Sequence, residues 1–529
     1  MAILIAPERN KAYAAPNGNY TSDGYGYVNV TDATDLAYFQ VRWNDTPDTA
    51  RELVEGAIGR VNGAAAILSR MQKQAAAAER ANLVLNAVSA AAATVASPGS
   101  APSTTGFTNL LPASTGFAAN FTATTTASSR VLTSVSSTSG LMVGQPLVED
   151  GSTSAYPANI PFGAVIESIS GSTVTMSKAA TGSASAITIH AASSLFNIIG
   201  GVAAQYGGNF SCSATTVGNS VTPPTARKSG YAGWAIEFET DAANFSTAAA
   251  TVMLRTFANG ANPDSYRIAI DDVYQTSSAQ SFGAGRYVTI QFASAGVHKV
   301  RIELPGGICP THLYVTTGAK IWKPRGVIAP RVALFGDSYF STGASGSWPQ
   351  NNMGAQLSNL MGWNGDQVAV AGTGYTNDGG SNYTWANAYR GPDLERRDFD
   401  AVVVLGSIND AGAGSAALQA AALTTWQAIR AKRPYAPMFI FGVPTTSNLS
   451  NGTALTLEGY LQTAFNTWGD ANAWFYPVSG DAEGSWIDSN NSSAYIAGDG
   501  SHTTDAGSAY YARRMAAKIR ATLRDQVVI

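Results

Sequence analysis

The first periodicity along the chain is helical. From Asp48 to about Val95, apolar residues fall at Val54, Ile58, Val61, Ala65 and Leu68, alternately four and three apart. After a break in phase the spacing returns at Ala81, Leu85, Val88, Ala92 and Val95. So narrow a stripe needs a partner helix. Gly56, Gly59 and Gly63 each weaken a lone helix by roughly 1 kcal/mol. Residues 47–97 are therefore expected to form an oligomerising stalk, with a helical hairpin packed on its own chain as the alternative. Before it, residues 1–46 carry short strand-like runs such as Gly26 to Val30. After it, residues 98–116, with SPGSAPSTTG, read as a linker.

The period then drops to two. Val165 to Ile169 and Ser172 to Met176, split by Ser170-Gly171, predict a small β module over 117–192. Further strand-like runs follow at 233–239, 251–255, 266–270, 287–292, 298–303 and 313–315 with no helical pattern between them, which predicts a β-sandwich or jelly roll over 193–326. Trp234, Tyr266 and Tyr274 are candidates for stacking on sugars, with core packing as the other reading.

From Arg331 the pattern changes again. Val332 to Phe335 is a continuous apolar run, as suits a strand covered on both faces. Apolar strands at 368–370, 401–405, 438–443 and 474–476 then alternate with helical stretches at 352–361, 416–431, 456–468 and 505–523. That alternation predicts an α/β unit with a flavodoxin-like parallel sheet over 327–529, whose ligands gather at the C-terminal strand ends. Four short motifs sit at those ends or just before the last helix: Gly336-Asp337-Ser338, Ala371-Gly-Thr-Gly-Tyr375, Gly406-Ser-Ile-Asn-Asp410 and Asp499-Gly-Ser-His502.

The residue types carry a chemistry. A serine hydroxyl becomes a useful nucleophile only when a base takes its proton. His502 is the only histidine of this unit, and Asp499, three residues earlier, can reach its far ring nitrogen across a tight turn and set the tautomer. In kind, order and position the four motifs resemble those of the SGNH (GDSL-type) hydrolases. The resemblance implies Ser338 as nucleophile, His502 as base and Asp499 as its orienting acid. It further implies an oxyanion hole made by the backbone N–H of Ser338, the backbone N–H of Gly374 and the side-chain amide of Asn409. The second motif departs from the usual form, where an asparagine often leads two glycines, so Gly372 stays open as the alternative. Asp337 and Asp410 are expected to hold loops by accepting backbone N–H groups. Tyr339 replaces the leucine that names the GDSL pattern, a change expected to leave the chemistry alone. Trp348, Tyr375, Tyr383 and Trp385 are candidate sugar contacts, with core packing as the equal alternative.

Composition narrows the class. Of 529 residues 45% are hydrophobic and only 13% charged, and the formal net charge of −3 leaves no polybasic footprint for nucleic acid. Cys212 and Cys309 can form one bridge or stand as two buried thiols, but not a disulfide framework or a cysteine-based zinc site. No secretory signal and no membrane-length apolar run is visible. No cofactor or metal is expected.

Two further resemblances bear on context. IPFGAVIESISGSTVTMS is similar to a small β domain of phage tail fibres and spikes, and the sandwich resembles the jelly roll that precedes the catalytic domain in some carbohydrate esterases. Together these imply a virion-borne tail spike or fibre, released by host lysis and homotrimeric, with residues 1–46 attaching it to other virion proteins. It would remove O-acetyl groups from a bacterial surface polysaccharide. The rivals are a binding fibre whose hydrolase unit is inactive and a lipase- or thioesterase-type enzyme, although no apolar lid is evident. A tail-spike glycosidase would need paired carboxylates and usually a repeating β-helix, and no such repeat is found.

Overall fold

Alternate residues of each central strand in the C-terminal unit enter opposite cores, and this explains why those strands are apolar throughout. In a computed structural model, the described residues are 2–5, 20–22, 27–30, 67–68, 70–75, 93–96, 103–111, 115–150, 159–206, 209–213, 233–240, 251–258, 265–276, 278–281, 287–292, 296–305, 308–324, 329–341, 348–380, 383–395, 397–406 and 408–526. The C-terminal unit has five strands: β1 (Arg331–Gly336), β2 (Asn364–Ala369), β3 (Ala401–Leu405), β4 (Met438–Phe441) and β5 (Ala473–Tyr476). They form one sheet in the order β2-β1-β3-β4-β5, every pair parallel.

Val332, Leu334, Ala401, Val403, Phe439 and Phe441 face one core. There they meet Met353, Leu357 and Met361 of α2 (Met353–Met361) and Tyr511, Met515 and Ile519 of α5 (Asp505–Gln526). Ala333, Phe335, Val402, Val404, Met438 and Ile440 face the other. That side is covered by α3 (Ser415–Lys432) and α4 (Asn451–Trp468) through Leu418, Trp426, Ile429, Leu457 and Leu461. The chain leaves β1 for opposite sides of the sheet at β2 and β3, so the order reverses there. A crevice opens at such a switch point, outside the carboxyl ends of the strands.

Glu458 of α4 ties the ends of β4 and β5 together. Its carboxylate accepts the backbone N–H groups of Val443, Val478, Ser479 and Gly480 at 2.7 to 3.1 Å. A Cβ on Gly442 would lie 1.9 Å from that carboxylate, which explains the glycine.

The β-sandwich is two antiparallel sheets closed over Trp234, Ile236, Phe238, Ile268, Ile290 and Ile302. Trp234–Thr240, Thr251–Ala258, Ser265–Ile270, Tyr287–Phe292, Lys299–Leu304 and Ile308–Thr316 fall on the strand-like runs, whereas Asn197–Ile199 and Ile321–Trp322 lie outside them. Two of its edge strands correct the domain boundaries read from sequence. Ala93–Ala96, within the expected stalk, is a strand paired with Tyr287–Phe292, and Phe107–Asn109, within the expected linker, is a strand paired with Ile308–Thr316. Val95 therefore sits in a ladder rather than on a helical stripe. A four-residue alanine-rich run carries no strong preference of its own, and the open sheet edge decides its conformation.

Residues 67–68 and 70–75 are helical. Ile67, Leu68, Met71 and Ala75 are buried against the core of the α/β unit that contains Leu334 and Phe439, and Arg70 pairs with Asp400. This stretch of the expected stalk thus packs on its own chain, the alternative reading; the remainder of 47–66 and 76–92 lies outside the described residues. The small β module pairs two three-stranded sheets over Phe121, Leu132, Ile166, Val174 and Ile189. At the N-terminus, Ala2–Ile5, Tyr20–Ser22 and Tyr27–Val30 form a three-stranded antiparallel sheet. Cys212 is buried as a thiol in the sandwich core.

The sandwich docks on the α/β unit by polar contacts. Gln350 donates to the Trp234 carbonyl at 3.1 Å, and Asn364 and Arg397 both donate to the Ile198 carbonyl, at 3.3 and 3.1 Å.

Candidate active site

Ser338 follows β1 directly and opens a single helical turn, α1 (Ser338–Ser341). Asp337 builds that turn. Its Oδ1 accepts the Tyr339 N–H at 3.0 Å, and its carbonyl accepts the N–H groups of Phe340 and Ser341 at 3.2 and 3.1 Å. Its Oδ2 accepts from the Asn409 side-chain amide at 3.2 Å, and the same amide donates to the Thr373 carbonyl at 2.9 Å. Asn409 thus bridges the first and second motifs from the end of β3. Ser338, the 371–375 loop and Asn409 follow β1, β2 and β3, the three adjacent strands at which the order reverses.

Asp410, beside Asn409, fastens the second motif. Its carboxylate accepts the N–H groups of Tyr375, Thr376 and Asn377 at 2.9, 2.8 and 3.2 Å and the Thr376 hydroxyl at 2.6 Å. The loop-holding roles expected of Asp337 and Asp410 are the ones seen in these contacts. The carboxylate comes so close that a Cβ on Gly374 would lie 2.6 Å from it. Gly374 is therefore required for packing whatever its chemical role. Its N–H donates to the Asn377 carbonyl at 2.7 Å and so is engaged within the loop. Gly372, the alternative, takes a left-handed conformation with φ of +78°. Gly374→Ala must push the Asp410 carboxylate aside and loosen 375–377. The expected result is a loss of about 10- to 100-fold in kcat/KM, the order that a misplacement near 1 Å produces, measured on a soluble acetate ester.

His502 comes from the far end of the unit. Asp499 Oδ1 accepts the N–H groups of Ser501 and His502, both at 2.9 Å, while Oδ2 meets His502 Nδ1 at 2.6 Å. Partial burial pushes the Asp499 carboxyl up. The two backbone N–H groups and the His502 ring outweigh it and bring its pKa down to about 2. An ionised carboxylate can only accept, so Nδ1 carries a proton and, when the ring is neutral, Nε2 is the acceptor. The 496–503 turn is closed by a bridge between Ile496 and Thr503, and Gly500 provides its left-handed corner with φ of +71°.

The turn is tied to the helical turn that Ser338 opens. The Tyr339 hydroxyl donates to the Ser501 carbonyl at 2.7 Å, and its ring lies 6.5 Å from that of His502 between centroids. The residue after Ser338 is thus bonded to the residue before His502. Burial raises the Tyr339 hydroxyl well above the ordinary tyrosine pKa, so it remains a donor. Sequence reasoning gave position 339 no part in the site; only the spatial neighbour of its hydroxyl reveals one.

Of the four proposed sugar-contacting aromatics, Tyr375 and Trp385 are packed in the core against each other, with centroids 4.5 Å apart. Tyr383 is buried beside Val370. Core packing is the reading these three follow, because the apolar loop residues must cover the sheet's edge. Trp348 is half-buried. In the sandwich, Trp234 and Tyr266 are core residues, while Tyr274 bonds Glu303 at 2.7 Å beneath the Arg267 guanidinium.

No protein-family profile matches the chain, and no curated sequence does. A salicylyl-acyltransferase from a tetracycline biosynthetic pathway superposes with a TM-score of 0.46 at 15% identity, over 63% of this chain and 96% of that one. A family two carbohydrate esterase from Cellvibrio japonicus gives 0.43 at 13% identity, over 64% and 97%. An acetyl xylan esterase from Butyrivibrio proteoclasticus gives 0.40 at 12% identity, over 63% and 97%.

Proposed function

We propose that residues 327–529 form a serine esterase of the SGNH (GDSL) kind, and that its substrate is an O-acetylated bacterial surface polysaccharide. The observation that carries the esterase reading is the 2.6 Å contact of Asp499 with His502, on a turn bonded to the residue that follows Ser338. Nε2 of His502 takes the Ser338 proton as Oγ attacks the ester carbonyl carbon. The negative charge that develops on the carbonyl oxygen needs preorganised donors; the Ser338 N–H, the Asn409 amide and a glycine N–H of the 371–375 loop are the groups assigned to it. The alcohol leaves with the proton held by His502. Water, activated by the same ring, then releases acetate and restores the serine.

The polysaccharide and the virion setting rest on the sequence: the tail-fibre-like 117–192 module, the sandwich before the hydrolase unit, and the absence of a recognisable lipase lid. In this setting the chain is a homotrimeric tail spike or fibre, joined to other virion proteins through residues 1–46. The decisive experiment is hydrolysis of p-nitrophenyl acetate by the wild type and by Ser338→Ala. Release by the first and not the second supports the esterase, and no release by either leaves a binding fibre. On host glycan, acetate release without loss of polymer length is the expected result, and shortening of the polymer rules the deacetylase reading out.

A further inference from the structure

The Asp499–His502 turn is gripped from a second side that the catalytic groups do not account for. Asn448 lies in the loop after β4. Its side-chain amide donates to the Asp499 carbonyl at 2.8 Å and to the Ser501 hydroxyl at 2.9 Å, and its backbone N–H donates to the Gly500 carbonyl at 2.9 Å. Three consecutive residues of the turn are held by one side chain and its own backbone. The fit is close: a Cβ on Gly500 would lie 2.6 Å from Asn448 Oδ1. Asn448 sits in a closed turn anchored by a core residue. Thr446 and Leu449 exchange hydrogen bonds across it, through the Thr446 N–H at 3.2 Å and the Thr446 hydroxyl at 2.9 Å, and Leu449 is buried in the core behind β4.

We propose that Asn448 is a positioning residue for the esterase reaction: it clamps the turn so that the His502 ring stays where it can take the Ser338 proton. The inference rests on the esterase reading above. Its physical basis is that a turn held only at Tyr339 can pivot about that single contact, whereas contacts from β1's side and from β4's side fix it at two points. Asn448 is exposed, so its amide adds no apolar burial, and its removal leaves the core intact. A base displaced by about 1 Å costs on the order of 100-fold in rate without weakening substrate binding.

The test compares wild type, Asn448→Ala and Asn448→Asp on p-nitrophenyl acetate, with the thermal midpoint of each. The expected result for Asn448→Ala is a kcat lower by about 10- to 100-fold, with KM and midpoint unchanged. Asn448→Asp keeps the size but loses the donors toward the Asp499 carbonyl, and is expected to restore nothing. A kcat within twofold of wild type in Asn448→Ala, or a loss equal to the loss of folded protein, overturns the clamp while leaving the esterase standing. A wild type with no esterase activity overturns both.

Discussion

Replacing Ser338 with alanine is expected to lower kcat for an acetate ester by about 10⁶-fold, and replacing Asp499 with asparagine by about 10⁴-fold, with KM little changed in either. The first removes the atom that forms the acyl-enzyme in the proposed mechanism. The second leaves a side chain of the same shape, but its amide can donate to Nδ1, and the ring then presents a protonated Nε2 to the serine. Asparagine also loses the charge that stabilises the imidazolium as it forms. A rate ratio of 10⁴ corresponds to about 5.5 kcal/mol, far more than an exposed ion pair supplies, so a loss of that size identifies an orienting role rather than a surface contact. Steady-state kinetics of both variants, beside unfolding curves showing that each is folded, decides this. An Asp499→Asn enzyme within tenfold of wild type removes Asp499 from the mechanism. The Asp499 pKa of about 2 means that its own protonation contributes nothing to the pH profile above about pH 3.

The second large effect is on stability. Asp481, in the loop after β5, is almost fully buried. It accepts from Trp486 Nε1 at 2.7 Å, Lys518 Nζ at 2.9 Å and Arg514 at 3.0 Å, so it ties that loop to α5. Burial raises its carboxyl, but the donors of Trp486, Lys518, Glu483 and Arg514 win and bring the pKa down to about 2. Asp481→Asn leaves two cations facing an amide. Hydrogen bonds to charged groups contribute about 1.5–3 kcal/mol, and the partial exposure of Arg514 and Lys518 trims this, giving an expected loss of about 2 kcal/mol. The thermal midpoint of the C-terminal α/β unit should fall by about 4–8 °C. The pH dependence has a definite sign. A carboxyl depressed from 3.8 to about 2 stabilises fully above pH 4, and that stabilisation is lost as pH falls toward 2. The variant should therefore lack this part of the acid sensitivity, which urea melts at pH 6 and pH 3 will show.

The α/β unit was legible along the chain because both faces of its sheet are covered. A strand such as Ala401–Leu405, buried at every position, has to be apolar throughout, and the helices between such strands carry their own period. The sandwich strands were legible as β-branched and aromatic runs between turn residues rather than by alternation, since Ser265–Ile270 is buried at five of its six positions. The alanine-rich 93–96 and the polar 107–109 were not, because each becomes a strand only when a neighbouring edge offers its hydrogen bonds. The helical periodicity that includes Leu68 was expected to need a partner, but a stripe cannot say which surface it will meet. Here it met the core of the unit more than 250 positions downstream in sequence.

Ser338, His502, Asp499 and Asn409 could be nominated from sequence because each belongs to a short motif whose internal spacing sets local geometry. The three-residue step from Asp499 to His502 is such a case: one turn brings carboxylate and ring together whatever surrounds them. Tyr339 and Asn448 could not be nominated, since their partners, Ser501 and the 499–501 backbone, lie more than 50 positions away in sequence. The burial of Tyr375, Tyr383 and Trp385 was equally beyond reach, because an aromatic in a loop near a strand end carries no mark of whether its ring faces the crevice or the core. Local spacing determined the chemical groups; long-range packing alone decided how they are oriented and held, since hydrogen-bond partners across a fold leave no periodic trace in the chain.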